Sequence, residues 1–133
     1  MQSQIIEVPS FSGDRGNLAV IESNVVPFAI RRVFYIWGVP VWRGGHALKT
    51  CEQFLVPLAG SLKVAVVDGM SRKHYHLNTP THGLYLPPLT WRVLHDFEPG
   101  SVCLVLASEP YDADGYYHRF VDFLEAVNAD SVS

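Results

Sequence analysis

The fold is indicated first by the stretch Gly45-His46-Ala47-Leu48-Lys49-Thr50-Cys51-Glu52, which leads into an apolar run. Successive side chains of a β-strand point to opposite faces, so His46 and Leu48 would face the same side. A second stretch, Gly83-Leu84-Tyr85-Leu86-Pro87-Pro88, has the same form: a glycine, an apolar strand and a turn. Together the two stretches predict strands that bring His46 into the interior of a β-structure.

The rest of the chain repeats this pattern of short strands. Apolar segments rich in β-branched and aromatic residues recur about every ten residues, with turn signals between them, as in an all-β sandwich or barrel. The predicted strands are Leu18–Glu22, Phe28–Trp37, Phe54–Leu58, Leu62–Val67, His74–Leu77, Gly83–Leu86, Trp91–Phe97 and Val102–Ala107.

The pattern changes near the C-terminus. Apolar residues between Asp114 and Val127 fall at helical spacing, which predicts an amphipathic helix packed on the β-structure. No repeat, linker or low-complexity segment interrupts the chain, so residues 1–133 are interpreted as one domain.

Charge and composition exclude some partners. The net charge of −3 argues against a nucleic-acid polymer, because phosphate binding needs a basic surface. No apolar run approaches the ~20 residues of a membrane helix, so no membrane is expected as a partner. Cys51 and Cys103 do not suggest a disulfide framework, and the N-terminus has no signal-peptide pattern. We therefore expect a cytoplasmic protein.

The two blocks quoted above resemble those of cupins, which implies a jelly-roll antiparallel β-barrel with the terminal helix added to it. A metal-binding cupin has a second histidine two residues after the first and a third in the later block. This chain has Leu48 at the first of these places and Arg92 near the other. A cation would lose two neutral ligands and meet a fixed positive charge, so neither a metal nor another cofactor is expected.

Nearly the whole chain resembles one cupin family, the dTDP-4-dehydro-6-deoxyglucose 3,4-ketoisomerases. The segments that carry the resemblance are Asp14-Arg15-Gly16, Arg32-Val33-Phe34-Tyr35, Arg43-Gly44-Gly45-His46-Ala47, Glu52-Gln53, Gly83-Leu84-Tyr85, His95-Asp96-Phe97 and Leu106-Ala107-Ser108. The resemblance implies a metal-free homodimer that moves a ketone from carbon 4 to carbon 3 of a dTDP-linked deoxysugar, for 3-amino-sugar synthesis.

Two other functions remain open, because the family usually has His-Ala-His where this chain has His46-Ala47-Leu48. One is a related epimerase, which would invert a carbon beside the same ketone. The other is a cupin that binds a sugar nucleotide without catalysis, having lost the second histidine.

The isomerisation needs a base for a hydrogen next to a ketone, and His46 is the predicted base. The reference pKa of histidine, ~6.5, suits proton transfer near neutral pH, and such a base typically contributes about 10²–10⁴-fold. Arg43-Gly44-Gly45 just before it would let the backbone approach a ligand closely. If one histidine works alone, it could carry the same proton between the two carbons.

The other candidates are polar or aromatic residues of the same segments. The predicted catalytic residues are His46, Tyr35, whose hydroxyl could donate to the enediolate, and Arg43. The predicted substrate-binding residues are Arg15, Arg32, Gln53, Arg92, Tyr85 and Trp91. Guanidinium groups match phosphate oxygens, the Gln53 amide could bind a sugar or base edge, and Tyr85 and Trp91 could stack on a ring. Arg32 would point away from Tyr35 on a regular strand.

Overall fold

The computed structural model describes residues 1–69 and 71–132, with side chains up to residue 129. Twelve strands come before a single long helix: β1 (Gln4–Glu7), β2 (Ser10–Gly13), β3 (Gly16–Ala19), β4 (Arg32–Trp37), β5 (Trp42–Leu48), β6 (Gln53–Ala59), β7 (Leu62–Asp68), β8 (Ser71–Leu77), β9 (His82–Leu86), β10 (Thr90–His95), β11 (Val102–Ala107) and β12 (Tyr116–Tyr117), then α1 (Phe120–Val132).

Ten of these strands form two five-stranded sheets. The first sheet has the order β1-β9-β6-β11-β4 and the second the order β12-β5-β10-β7-β8, and the paired strands are antiparallel. The all-β cupin prediction is confirmed, but the two sheets do not join into a closed barrel. The remaining strands, β2 and β3, pair only with each other.

The core lies between the two sheets. Leu55, Leu84 and Val105 of the first sheet pack with Val64 and Leu94 of the second, and all five are buried. Each strand contributes every second residue to this layer, as the pleat requires. A fully buried aliphatic side chain contributes about 1.5–3 kcal/mol relative to exposure, so this layer holds the sheets face to face.

A second apolar cluster covers the outer face of the first sheet. Val26 and Phe28 lie in the irregular segment before β4 and pack on Phe54, Val56 and Tyr85. The predicted strand Phe28–Trp37 is therefore too long at its start, because its first residues cover the sheet and only Arg32–Trp37 pair in it. With cover on both faces, β6 is buried from Gln53 to Pro57.

The predicted C-terminal helix begins six residues late. Ala113–Gly115 form a 3₁₀ turn, Tyr116 and Tyr117 pair with β5, and α1 starts at Phe120. The apolar spacing of this segment was therefore misleading at its start, because strand pairing took precedence over helical periodicity. At 13 residues α1 cannot span a bilayer, and the described ranges hold no other candidate for a membrane span.

Candidate active site

A bulge in β5 determines where His46 points. His46 pairs with Arg92 of β10, Gly44 pairs with Val93, and the register shifts between them. Gly44 and Gly45 have φ values of 100° and 78°, in the left-handed region that favours glycine. A Cβ on Gly44 would also lie 3.0 Å from the Arg92 carbonyl oxygen. The two glycines are thus needed to bring β5 against β10 with His46 facing the opposite sheet.

His46 faces a cavity of about 80 Å³ between the two sheets. Its lining residues come from six strands and are Phe34, Ile36, Arg43, Gly44, His46, Gln53, Leu55, Arg92, Leu94, Val105 and Tyr116. Arg43 is itself exposed, so the cavity reaches the surface there. Of the predicted site residues, His46, Arg43, Gln53 and Arg92 are brought together.

His46 is held in its neutral form. Its pKa is lowered from 6.5 to about 4, first by burial, then by the positive charge of Arg92, then by His118 and Arg43. A protonated imidazole would be both poorly solvated and close to two guanidinium groups, which explains the direction. Near neutral pH the ring therefore has a free nitrogen lone pair that can accept a proton.

Arg92 is the largest fully buried side chain, with 2% of its surface exposed. Its Nη1 donates to Gln53 Oε1 at 2.7 Å and its Nε donates to the Thr90 carbonyl oxygen at 3.2 Å. Its Nη2 has no hydrogen-bond partner among the described residues. Burial lowers the pKa of Arg92 from 12.5 to about 10, so the group remains a cation at neutral pH. A buried cation with an unused donor is costly unless a ligand completes its hydrogen bonds.

The structure reverses the expected faces of β4. Phe34 and Ile36 line the cavity, whereas Tyr35 is 61% exposed on the outer face and stacks on Trp37 at 5.7 Å. The prediction that Tyr35 acts beside His46 is therefore corrected, because the register of β4 turns it away. Arg32 lies on the inner face with Phe34, 4.4 Å above that ring, at the border of the cavity.

Three other predicted residues lie away from the cavity. Tyr85 is buried in the cluster outside the first sheet, and its hydroxyl donates to Glu52 at 2.6 Å. Trp91 lies on the outer face of the second sheet, in contact with Phe123 of α1 at 5.8 Å. Both are packing residues, because period two places them opposite the cavity-facing positions of their strands. Arg15 is on the exposed β2–β3 hairpin and does not line the cavity of its own chain.

Tyr116 and His118 belong to the site, although their sequence context did not identify them. Tyr116 lines the cavity, and its ring lies 5.1 Å from the His46 ring in an edge arrangement. His118 stacks on Tyr116 at 5.5 Å and lies 6.4 Å from His46. The sequence had placed Tyr116 on a helix, so its pairing with Leu48 in β5 was not foreseen.

The cavity is poorly suited to a metal cation. Among the residues described, no three His, Cys, Asp or Glu side chains are grouped as a metal site requires. His46 stands there with two arginines, which would repel a cation. The buried cation and its unused donor fit an anionic or carbonyl oxygen instead.

The two facing antiparallel sheets, with a histidine and arginines in the cavity between them, define a protein of the cupin class. The chain belongs to the family described as "FdtA: WxcM-like, C-terminal", whose model matches residues 1–128.

The relatives of the chain have consistent names. It is 39% identical over 126 residues to a TDP-4-oxo-6-deoxy-α-D-glucose-3,4-oxoisomerase of Aneurinibacillus thermoaerophilus, covering 92% of this chain and 91% of the relative. A similar solved structure is a His-to-Asn variant of the 3,4-ketoisomerase QdtA of Thermoanaerobacterium thermosaccharolyticum in complex with TDP-4-keto-6-deoxyglucose. It is 35% identical, with a TM-score of 0.92, over 96% of this chain and 95% of that chain. The epimerase NovW of Streptomyces spheroides, 14% identical with a TM-score of 0.74 over 86% of this chain and 67% of that chain, shows a shared fold only.

Proposed function

We propose that this chain is a sugar-nucleotide 3,4-ketoisomerase that acts as one cupin domain over residues 1–133. Its substrate would be dTDP-4-dehydro-6-deoxyglucose, with the ketone moved from carbon 4 to carbon 3. The observation that carries the proposal is the pair formed by neutral His46 and buried Arg92, which has one unused donor in the same cavity. The names of the relatives support the choice of substrate.

The pair fits the chemistry of enolisation. A base removes the hydrogen on carbon 3, and negative charge develops on the oxygen at carbon 4 as the double bond forms. His46 can accept the proton because its low pKa keeps the ring neutral. Arg92 Nη2 can donate to the developing oxyanion from a position already held by Gln53 and Thr90.

Substrate binding would also adjust the base. The arginines lower the pKa of His46 in the empty cavity. A bound sugar nucleotide brings negative phosphate groups and a developing oxyanion close to those arginines. Their positive charge would then be partly neutralised, so the pKa of His46 would rise towards the working pH, where a general base is most effective. No metal or organic cofactor has a part in this scheme.

Three further polar residues are proposed as substrate contacts. Arg43 is exposed where the cavity meets the surface, which suits a diphosphate group. Gln53 would hold Arg92 and contact the sugar, and Arg32 would bind at the border of the cavity. Arg15 could contact a ligand only if a second copy of the chain carried its hairpin to the site.

A homodimer is supported by apolar surface that one copy leaves uncovered. Phe11 and Leu18 face each other across the β2–β3 hairpin and are 64% and 61% exposed. An isolated two-stranded hairpin is marginally stable in water, so its order calls for further packing. The outer face of β4 adds exposed Tyr35 and Trp37. Analytical ultracentrifugation should show a dimer that Leu18→Asp weakens, whereas Val121→Asp on α1 should not.

A cytoplasmic location is proposed as well. Both cysteines of the chain are buried free thiols, as is usual in a reducing compartment.

The function is tested by proton NMR of the purified protein with dTDP-4-dehydro-6-deoxyglucose. We expect signals of a 3-keto sugar with the wild type and with His76→Asn, a substitution of an exposed histidine on β8. His46→Asn should abolish the product while leaving TDP binding, measured by calorimetry, close to that of the wild type.

Other outcomes would assign the chain elsewhere. An inverted carbon with the ketone still at carbon 4 would identify an epimerase. Binding of the sugar nucleotide with no change in its structure would indicate a binding protein without catalysis. Product formation by His46→Asn at the wild-type rate would remove His46 as the base.

A further inference from the structure

The isomerisation requires two different proton transfers. When the ketone moves from carbon 4 to carbon 3, a proton moves from carbon 3 to carbon 4, and a second proton moves from the oxygen on carbon 3 to the oxygen on carbon 4. His46 accounts for the carbon proton. While the imidazole holds that proton, it cannot also carry the oxygen proton. The reaction therefore calls for a second proton carrier in the cavity.

The lining of the cavity offers few candidates for this second carrier. Five lining residues are apolar and Gly44 has no side chain. Arginine side chains remain protonated, so they can donate hydrogen bonds but do not give up a proton at neutral pH. Gln53 is an amide, and its oxygen accepts from Arg92 at 2.7 Å. Apart from His46, Tyr116 is the lining residue whose side chain can both lose and regain a proton.

Tyr116 is also placed suitably for the role. It pairs across the strands with Leu48, directly beside His46 on the same face of β5, and its ring is 5.1 Å from the imidazole. Within the part of the chain that is described, no group hydrogen-bonds to the Tyr116 hydroxyl. Arg92 interacts electrostatically with the phenol oxygen, so a phenolate there would be stabilised by a buried cation.

The apolar residue opposite Tyr116 strengthens the case. Leu48 packs with Cys51 and Ala107 and is 3% exposed, so this position of β5 supplies no polar group to the cavity. Any second proton carrier on this side has to come from the neighbouring strand, and β12 supplies Tyr116 there.

We infer that Tyr116 is a catalytic residue whose hydroxyl carries the proton between the two sugar oxygens, while His46 carries the proton between the two carbons. The inference rests on the proposed function, since it assigns a role within that reaction.

The steps balance without any co-reactant. The C3–H bond breaks, its proton goes to His46, and its electron pair forms the C3–C4 double bond. The carbonyl pair at carbon 4 moves to oxygen, which takes the Tyr116 proton. The phenolate then takes the proton of the oxygen on carbon 3, and that O–H electron pair forms the new carbonyl. The pair of the C3–C4 double bond takes the proton of His46 at carbon 4, and both side chains return to their first state.

The test compares Tyr116→Phe with the wild type and with Tyr117→Phe. Tyr117 is the adjacent residue of β12, and its ring lies 5.1 Å from Lys49 Nζ outside the cavity lining. Three quantities are measured: formation of the 3-keto sugar, exchange of the carbon-3 hydrogen in D₂O, and TDP binding. His46→Asn serves as the reference for loss of the carbon base.

We expect Tyr116→Phe to lower kcat by about 10²–10⁴-fold, the usual contribution of a proton-transfer group. TDP binding should stay within about threefold of the wild type, less than 1.4 kcal/mol. Exchange at carbon 3 should be slowed less than product formation, because His46 is intact, whereas His46→Asn should stop both. Tyr117→Phe should behave like the wild type.

Three results would overturn the inference with the proposed function still standing: wild-type turnover by Tyr116→Phe, loss of TDP binding in parallel with activity, or loss of exchange to the extent seen in His46→Asn. Absence of 3-keto product with the wild type would instead remove the proposed function, and the role of Tyr116 with it.

Discussion

Replacement of Arg92 by methionine should raise the pKa of His46, and the structure sets limits on the size of the change. The pKa of His46 is about 4, against 6.5 for an unperturbed ring, and burial is the largest cause, followed by Arg92. Arg92→Met removes the charge but retains the burial. The pKa of His46 should therefore rise above 4 and stay below 6.5, and each unit of the change corresponds to about 1.4 kcal/mol.

The same substitution should also reduce catalysis more than it reduces stability. Loss of the Arg92 donor should lower kcat by about 10²–10³-fold, the effect of removing one donor to an oxyanion. Gln53 Oε1 and the Thr90 carbonyl lose their partner, which costs about 1–3 kcal/mol for a buried unsatisfied group. Removal of a buried cation that has one unused donor works in the opposite direction, so the net destabilisation should be small.

The pKa is measured by NMR titration of the His46 ring from about pH 3 to 8, the range around its shifted value. Arg43→Met is the matched control, because Arg43 is exposed and is the smallest of the four causes. Its effect on the pKa of His46 should be the smaller of the two. The reasoning would be refuted if His46 still titrated near 4 in Arg92→Met, or if Arg43→Met produced the larger shift.

Three further outcomes follow from burial and packing. The free energy of unfolding should fall as the pH is lowered from 6.5 through about 4, because the unfolded chain then binds a proton that folded His46 does not; urea unfolding of the wild type and His46→Asn would show a smaller fall in the variant. Gly83→Ala should destabilise the fold by about 1–3 kcal/mol or more, since its Cβ would lie within 3.0 Å of the buried Phe54 ring, and an unchanged melting temperature would contradict this. Burial raises the pKa of the Cys103 thiol to about 12, so it should react with a thiol reagent at mildly alkaline pH only after unfolding; rapid labelling of the native protein would count against it.

Much of the fold could be predicted because it depends on local patterns. Alternating apolar residues identify strands such as β7 and β11 close to their observed bounds, since period two is set by the pleat of each strand alone. The two ends of the chain were harder to predict. β1 has no strong strand pattern of its own and is placed by pairing with β9.

Part of the candidate site could also be predicted from the sequence. His46, Arg43, Gln53 and Arg92 fall in the two blocks that define the strands on either side of the cavity, and the structure brings them together there. Tyr35 could not be assigned correctly in this way. Alternation shows that Tyr35 and Phe34 face opposite sides, but not which of them faces the cavity.

The sequence by itself determined an all-β chain with His46 on a glycine-preceded strand, because glycine, turn residues and period-two alternation act over a few neighbouring positions. Only the tertiary structure decided that Arg92 is buried beside His46 and that Tyr116 joins them. Those contacts depend on β5 pairing with β10 on one side and with β12 on the other. The physical reason is that strand pairing and burial join residues far apart in the chain, and no local pattern records which partner a strand will have.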